Sequence, residues 1–200
     1  MAWEPDYISG LDLGAYTRID DDIDDVEIAN AITGASRAVD ERTNRQFGLL
    51  DAPAQWTYTA WPDYERGRWV VTIDDLMTEV GLVVQTPSGG VTTQFTLEPK
   101  NAVAKGKPYT RLAFNADAAV YPVSVDGYEV LVTARFGWLA IPVPVVLATK
   151  LQASRFLSRR ESPYGVAGSP EQGSELRLLS KVDPDVGVAL RGFGRPRRVG

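Results

Sequence analysis

Apolar residues recur every third or fourth position in two long stretches and on alternate positions between them, so the chain reads as helix, strands, helix. The first helical stretch opens in the acidic run of residues 20–25. Asp24 stands three residues before Glu27, the spacing of a capping box, and clustered carboxylates suit the positive end of the helix dipole. From there to about Asn44, Ile28, Ile32, Ala35 and Val39 share one face, while Asn30, Arg37 and Glu41 fall elsewhere. Burying each Ile or Val of that face contributes roughly 1.5–3 kcal/mol. Gly34 weakens the helix and lies off the stripe.

Residues 52–138 change to period two. Trp69, Val71 and Ile73 alternate, as do Leu82, Val84 and Thr86, then Val91, Thr93, Phe95 and Leu97 after the turn residues 87–90. Val123 and Val125 lead into Asp126-Gly127, a dipeptide that tolerates a type I′ turn, and Tyr128, Val130, Val132, Ala134 and Phe136 return on alternate positions. The pattern predicts about four to six strands in a small antiparallel sheet or open barrel.

A second long helix is expected after Pro142 and Pro144, because a first turn does not need their missing amide hydrogens. Val143, Val146, Leu147, Leu151, Ser154 and Leu157 share one side of its wheel, with Gln152, Arg155, Phe156 and Arg159 on the other. Phe156 on that polar side either lies under an arginine stem or, with Arg155 and Arg159, meets a neighbouring subunit. A turn-rich stretch, residues 162–173, then leads to Asp183 as N-cap, Pro184 as first helical residue and a short helix ended by Gly192. The fold expected is α+β: a helical body formed by 1–51 and 139–162, an inserted β subdomain at 52–138, and a linker, short helix and tail at 163–200. Beyond Leu190 the tail touches no expected core element.

Composition narrows the chemistry. Cysteine and histidine are both absent, which excludes a Cys/His zinc site, a thiol nucleophile and a Ser-His-Asp triad. The net charge of −5 argues against a general nucleic-acid-binding surface, yet it is unevenly placed. Acids crowd the first 27 residues, and Arg191, Arg195, Arg197 and Arg198 close the chain without one. No stretch approaches the ~20 apolar residues of a membrane span and no secretory signal opens the chain, so a cytoplasmic protein is expected.

The candidate chemical motifs fail one by one. Asp20, Asp22 and Asp24 copy the first ligands of a calcium loop, but Asp25 stands where the loop needs Gly and Ala31 where it needs Glu. Gly106-Lys107 resembles a phosphate loop, but Pro108 follows and Asn101 holds the place of the first Gly, so a hairpin tip is expected instead. Asp74, Asp75 and Asp117 have no partner at the separation a glycosidase needs and read as an exposed strand end. Neither an enzyme nor a cofactor or metal is expected. Trp56, Tyr58, Trp61, Tyr64 and Trp69 leave an alternative, a carbohydrate-binding or host-attachment module, although sheet cores use such residues too.

The order of parts resembles the head-to-tail adaptor (head–tail connector) proteins of long-tailed bacteriophages, especially those infecting actinobacteria. The likeness lies in the acidic start at 19–25, in Ala134-Arg135-Phe136-Gly137-Trp138 followed by Ile141-Pro142-Val143-Pro144, and in the arginine helix end at 158–165. It is strongest at 167–175 and 179–186. The resemblance implies a structural role: a dodecameric ring below the portal protein that prolongs the DNA channel in the virion neck and offers a surface to the stopper protein. It implies self-association, proximity to passing double-stranded DNA, and a C-terminal segment that docks on the portal, by position Leu190, Arg191, Phe193, Arg195, Arg197 and Arg198.

Overall fold

The computed structural model describes residues 3–17, 25–86, 90–114, 129–161, 166–167, 176–177 and 184–195. The fold is α+β. The chain divides into two compact units, Met1–Phe47 with Ile141–Gly200, and Gly48–Ala140.

The first unit is helical. Helix α1, Gly10–Thr17, is an element the hydrophobic pattern did not predict. Its start is nonetheless written in the sequence as Ser9-x-x-Asp12: the Ser9 hydroxyl accepts the Asp12 amide at 3.2 Å, and the Asp12 carboxylate accepts the Ser9 amide at 3.1 Å. The Ser9 hydroxyl also donates to the Asp12 carboxylate at 2.7 Å, and this bond, with that from the Ser9 amide, holds the Asp12 carboxyl below the usual carboxylate range. Helix α2, Asp25–Thr43, buries the predicted Ile28, Ile32, Ala35 and Val39, together with Ala31, Ser36 and Thr43. Left-handed Asn44 (φ 53°) follows it. Asp20, Asp22 and Asp24 lie outside the described residues.

Helix α3, Val143–Glu161, begins at the predicted prolines, with the Pro142 carbonyl accepting from the amides of Val145 and Val146. Its buried face differs from the expected one. Val143 and Leu147 are exposed, whereas Val145, Ala148, Thr149, Gln152 and Ala153 are buried. Helix α3 packs against α2, α1 and the helix at 184–190, so its covered side is set by these neighbours and not by its most apolar stripe. Three buried hydroxyls accommodate themselves within their own helices, Ser36 donating to Ile32 O, Thr43 to Val39 O and Thr149 to Val145 O at 2.8–2.9 Å.

The second unit is an antiparallel sheet of seven strands among the described residues. These are β1 (Ala54–Asp63), β2 (Arg68–Leu76), β3 (Val83–Gln85), β4 (Val91–Thr92), β5 (Phe95–Glu98), β6 (Tyr109–Phe114) and β7 (Glu129–Ala134), in the order β4-β3-β7-β1-β2-β6-β5. The first half of β1 pairs with β7, Ala54 to Thr59 opposite Ala134 to Glu129, and its second half with β2, Ala60 to Asp63 opposite Val71 to Arg68. Opposite edges β4 and β5 are joined only by Thr93-Gln94, so the sheet must curl until its edges are within the roughly 11 Å that three Cα steps can span. This half-barrel is the antiparallel sheet expected, with seven strands among the described residues where about four to six were predicted. It also breaks the expected alternation from Val91 to Leu97: Val91 is exposed and Thr92 buried, because the chain leaves one edge and joins the other there.

Both sides of β7 are occupied at Leu131–Thr133, by β1 and by β3. The first arm of the predicted hairpin, with its Asp126-Gly127 turn, lies outside the described residues, whereas its expected return is β7, with Val130, Val132 and Ala134 buried. The core is Ala60, Val71, Ile73, Leu76, Val84, Leu112, Phe114, Val130, Val132, Ala134 and Phe136. A short ladder, β8 (Val166–Ala167) with β9 (Leu176–Arg177), precedes helix α4, Pro184–Leu190, which starts at the predicted proline.

Candidate functional site

The residues expected to form a docking tail do not all leave the body. Leu190 is 3% exposed on α4, and a turn closed by the Phe193 amide on the Leu190 carbonyl brings the chain back to the end of α2. There Arg45 Nε donates to the Phe193 carbonyl at 2.7 Å and the Arg195 amide donates to the Thr43 carbonyl at 2.8 Å. The Phe193 ring stands edge-on to Phe47 at 5.8 Å. Phe47 is completely buried and meets Tyr7 in the same manner at 5.6 Å. The expectation that the segment beyond Leu190 touches no core element is thus corrected, because an aromatic side chain at 193 has an aromatic seat within reach. Arg191 is exposed, and Arg197 and Arg198 lie outside the described residues.

Tyr7 ties the N-terminal strap into the same seat. Its hydroxyl donates to Asp40 and accepts the Phe47 amide at 2.9 Å, while its own amide donates to the Ser36 hydroxyl at 3.2 Å. Arg37 lies 3.1 Å from the Asp40 carboxylate and donates to the Pro5 carbonyl at 2.6 Å. Burial pushes the Asp40 carboxyl up to about 6, against the opposing pull of the Tyr7 hydrogen bond and the Arg37 charge. Burial, then Asp40, pushes the Tyr7 phenol well above its ordinary range.

A carboxyl raised in the folded state contributes stability that is fully present below its unfolded pKa and is lost as pH rises through its folded one. For Asp40 that window runs from about 4, the unfolded value, up to about 6. Asp40→Asn cannot ionise, so its urea midpoint relative to wild type should rise between pH 4 and pH 7. A difference that stays level or falls over that interval would count against the burial of this carboxylate.

The candidate interface residues on α3 also find intramolecular surroundings. Phe156 packs against the cluster of Ile8, Leu13, Ile28, Ala31, Ile32, Ala35 and Ala153. A Cβ at Gly34 would lie 3.5 Å from its ring, ordinary van der Waals contact, which places the aromatic edge beside the α2 backbone. Phe156 therefore belongs to the contact between α2 and α3, and the side of the wheel it shares with buried Gln152 is a covered one. Arg155 and Arg159 are half-buried on the same helix.

In the β unit the carboxylates and aromatics are mostly structural. Asp75 is buried, not at an exposed strand end: it accepts Trp138 Nε1 at 2.8 Å, and its carbonyl accepts the Gly137 amide at 2.6 Å. Exposed Asp74 accepts the Tyr58 hydroxyl at 2.9 Å, and Asp117 lies outside the described residues. Trp56 stacks on Phe136 at 4.2 Å with the planes 2° apart, and Tyr58 meets the same ring edge-on. Trp69 packs on the core, which leaves Trp61 and Tyr64 as the exposed members of the aromatic group. Gly106-Lys107 sits on the connection between antiparallel β5 and β6, as a hairpin tip should.

Among the described residues no cluster of three or more acidic side chains could hold a metal ion, and no helix is long and apolar enough to cross a membrane. No protein-family model matches the chain, and no curated protein matches it.

Proposed function

We propose that this chain is a structural component of a tailed-phage neck, a ring subunit of dodecameric type that joins the portal to the stopper and extends the DNA channel. The observation that carries the reading is the architecture: a small helical body, an antiparallel β unit inserted in it, and a C-terminal helix followed by a cation-rich end. That is the arrangement which the resemblance to head-to-tail adaptors implies. The buried or hydrogen-bonded state of Asp74 and Asp75 also favours a structural role over hydrolysis. Three of the five clustered aromatics are committed to the β core, so the carbohydrate-binding alternative is the weaker one.

The C-terminal segment docks through its arginines, while Leu190 and Phe193 anchor it to the subunit's own body. Electron microscopy of portal rings from the encoding phage, mixed with the full chain, tests this. Intact protein should decorate the rings in a salt-sensitive manner, since exposed charges are screened beyond roughly 8–10 Å at moderate ionic strength. Changing Arg191, Arg195, Arg197 and Arg198 together to Gln should reduce occupancy with melting preserved. Rings left bare by the intact protein at low salt would overturn the adaptor reading.

A further inference from the structure

We infer that the connection between β5 and β6, residues 99–108, is a contact surface for the phosphate backbone of double-stranded DNA. Three of the chain's five lysines, Lys100, Lys105 and Lys107, stand in these ten residues, and no acid does. All three are exposed, and none makes an ion pair among the described residues. The nearest acid along the chain, Glu98, is already committed: its two oxygens lie 2.8 Å from Arg68 Nη1 and 2.8 Å from Arg111 Nη2. In a protein of net charge −5 this loop is therefore a local excess of cation with no paired carboxylate among the described residues.

The loop is also built to stay in place. Buried Ala102 and Pro108 anchor its two ends. The Ala102 carbonyl accepts the amides of Lys105 and Lys107 at 2.9 and 3.0 Å, and the Ala102 amide donates to Pro99 O at 3.1 Å. Two left-handed residues, Asn101 (φ 61°) and Gly106 (φ 66°), turn the chain, so the lysines project from a fixed frame.

The chemistry favours phosphates over an acidic protein partner. A protein interface is organised round an apolar or aromatic anchor and is depleted in lysine, and this loop carries no aromatic residue and exposes only Pro99, Ala104 and Gly106 beside its polar residues. Lysines are compact point charges that need no bidentate geometry, which suits a contact that must hold equally at every position along a duplex. The overall negative charge keeps such a contact weak and easily broken by salt.

The test uses the full chain and a fluorescently labelled duplex of about 30 base pairs and mixed sequence, followed by anisotropy. Three phosphate contacts predict a slope of log affinity against log salt of about −2.7, a loss of about 40-fold between 50 and 200 mM salt. Changing Lys100, Lys105 and Lys107 together to Ala should remove at least about 10-fold of the affinity at 50 mM salt and flatten the slope. Changing Arg42 and Arg66, exposed elsewhere, to Gln should leave most of both. Unchanged melting of the triple variant, expected for exposed positions, ties the loss to the surface.

The inference is overturned if the intact chain shows no binding at about 50 mM salt, if the triple variant binds like wild type, or if the Arg42 and Arg66 changes cost as much. It is likewise overturned if polyglutamate displaces the duplex as well as unlabelled DNA does, since the surface would then fit an acidic protein. The loop's charge carries the inference alone. A chain that binds DNA but not the portal would sink the adaptor reading and leave this one standing.

Discussion

Replacing Gly137 with alanine is expected to unfold the β unit. Gly137 has φ +116°, a conformation that L side chains rarely adopt, and a Cβ there would overlap the backbone carbonyl of Gly48. No side-chain rotation relieves a clash with backbone. Moving either segment would break the hydrogen bonds from the Gly137 amide to Asp75 O and from the Trp138 amide to Gly48 O, at 2.6 and 2.7 Å. The conformational cost of about 1–3 kcal/mol, an overpacking cost of about 1–3 and a hydrogen bond or two of about 1 each approach the stability of a whole domain, about 5–15 kcal/mol. Near-ultraviolet circular dichroism should report loss of the fixed Trp56–Phe136 stack. Gly187→Ala, at a site with open space and helical surroundings, serves as the control and should melt like wild type. A Gly137→Ala protein with wild-type melting and an intact aromatic signal would show that the two segments are not held this closely.

Phe47→Ala should cost about 3–5 kcal/mol, because it empties a fully buried site where the edges of Tyr7 and Phe193 both meet one ring. Phe193→Ala should cost less, since that ring is only half-buried. The double variant should be less destabilised than the sum, as two side chains in contact share part of one loss. Urea midpoints of the three proteins measure this. If Phe193→Ala and truncation after Leu190 both leave the midpoint unchanged, the C-terminal segment is loose, as the sequence by itself suggested.

The parts legible in the sequence are those where one local signal suffices. In α2 the spacing of Ile28, Ile32, Ala35 and Val39 identifies both the helix and its buried face. In α3 the prolines mark the start, but the buried face depends on which helices pack against it. Val145, Ala148, Thr149, Gln152 and Ala153 are covered while Val143 and Leu147 stay exposed, an outcome that hydrophobicity along the chain does not register. The strands follow from alternation, whereas their order depends on Thr93-Gln94 carrying the chain across from one edge to the other, which looks in sequence like one uninterrupted strand. The seat at Phe47 draws on Tyr7, Asp40 and Phe193, far apart along the chain and linked by no period. Helix α1 is different, for Ser9-x-x-Asp12 announces it.

The contact between Gly48 and Trp138 bears on how such a chain can diversify. The 93 residues of Gly48–Ala140 begin and end within one hydrogen bond of each other, so from the viewpoint of the helices the whole β unit closes like a tight turn. The entropy of bridging its two ends is met inside the unit, and it rises only slowly with the length of whatever lies between them. Lengthening a hairpin, adding a strand or exchanging the unit for another with equally close termini therefore leaves the register of α2 and α3 untouched. The helical body can be kept under one set of constraints while the inserted module is reshaped under another.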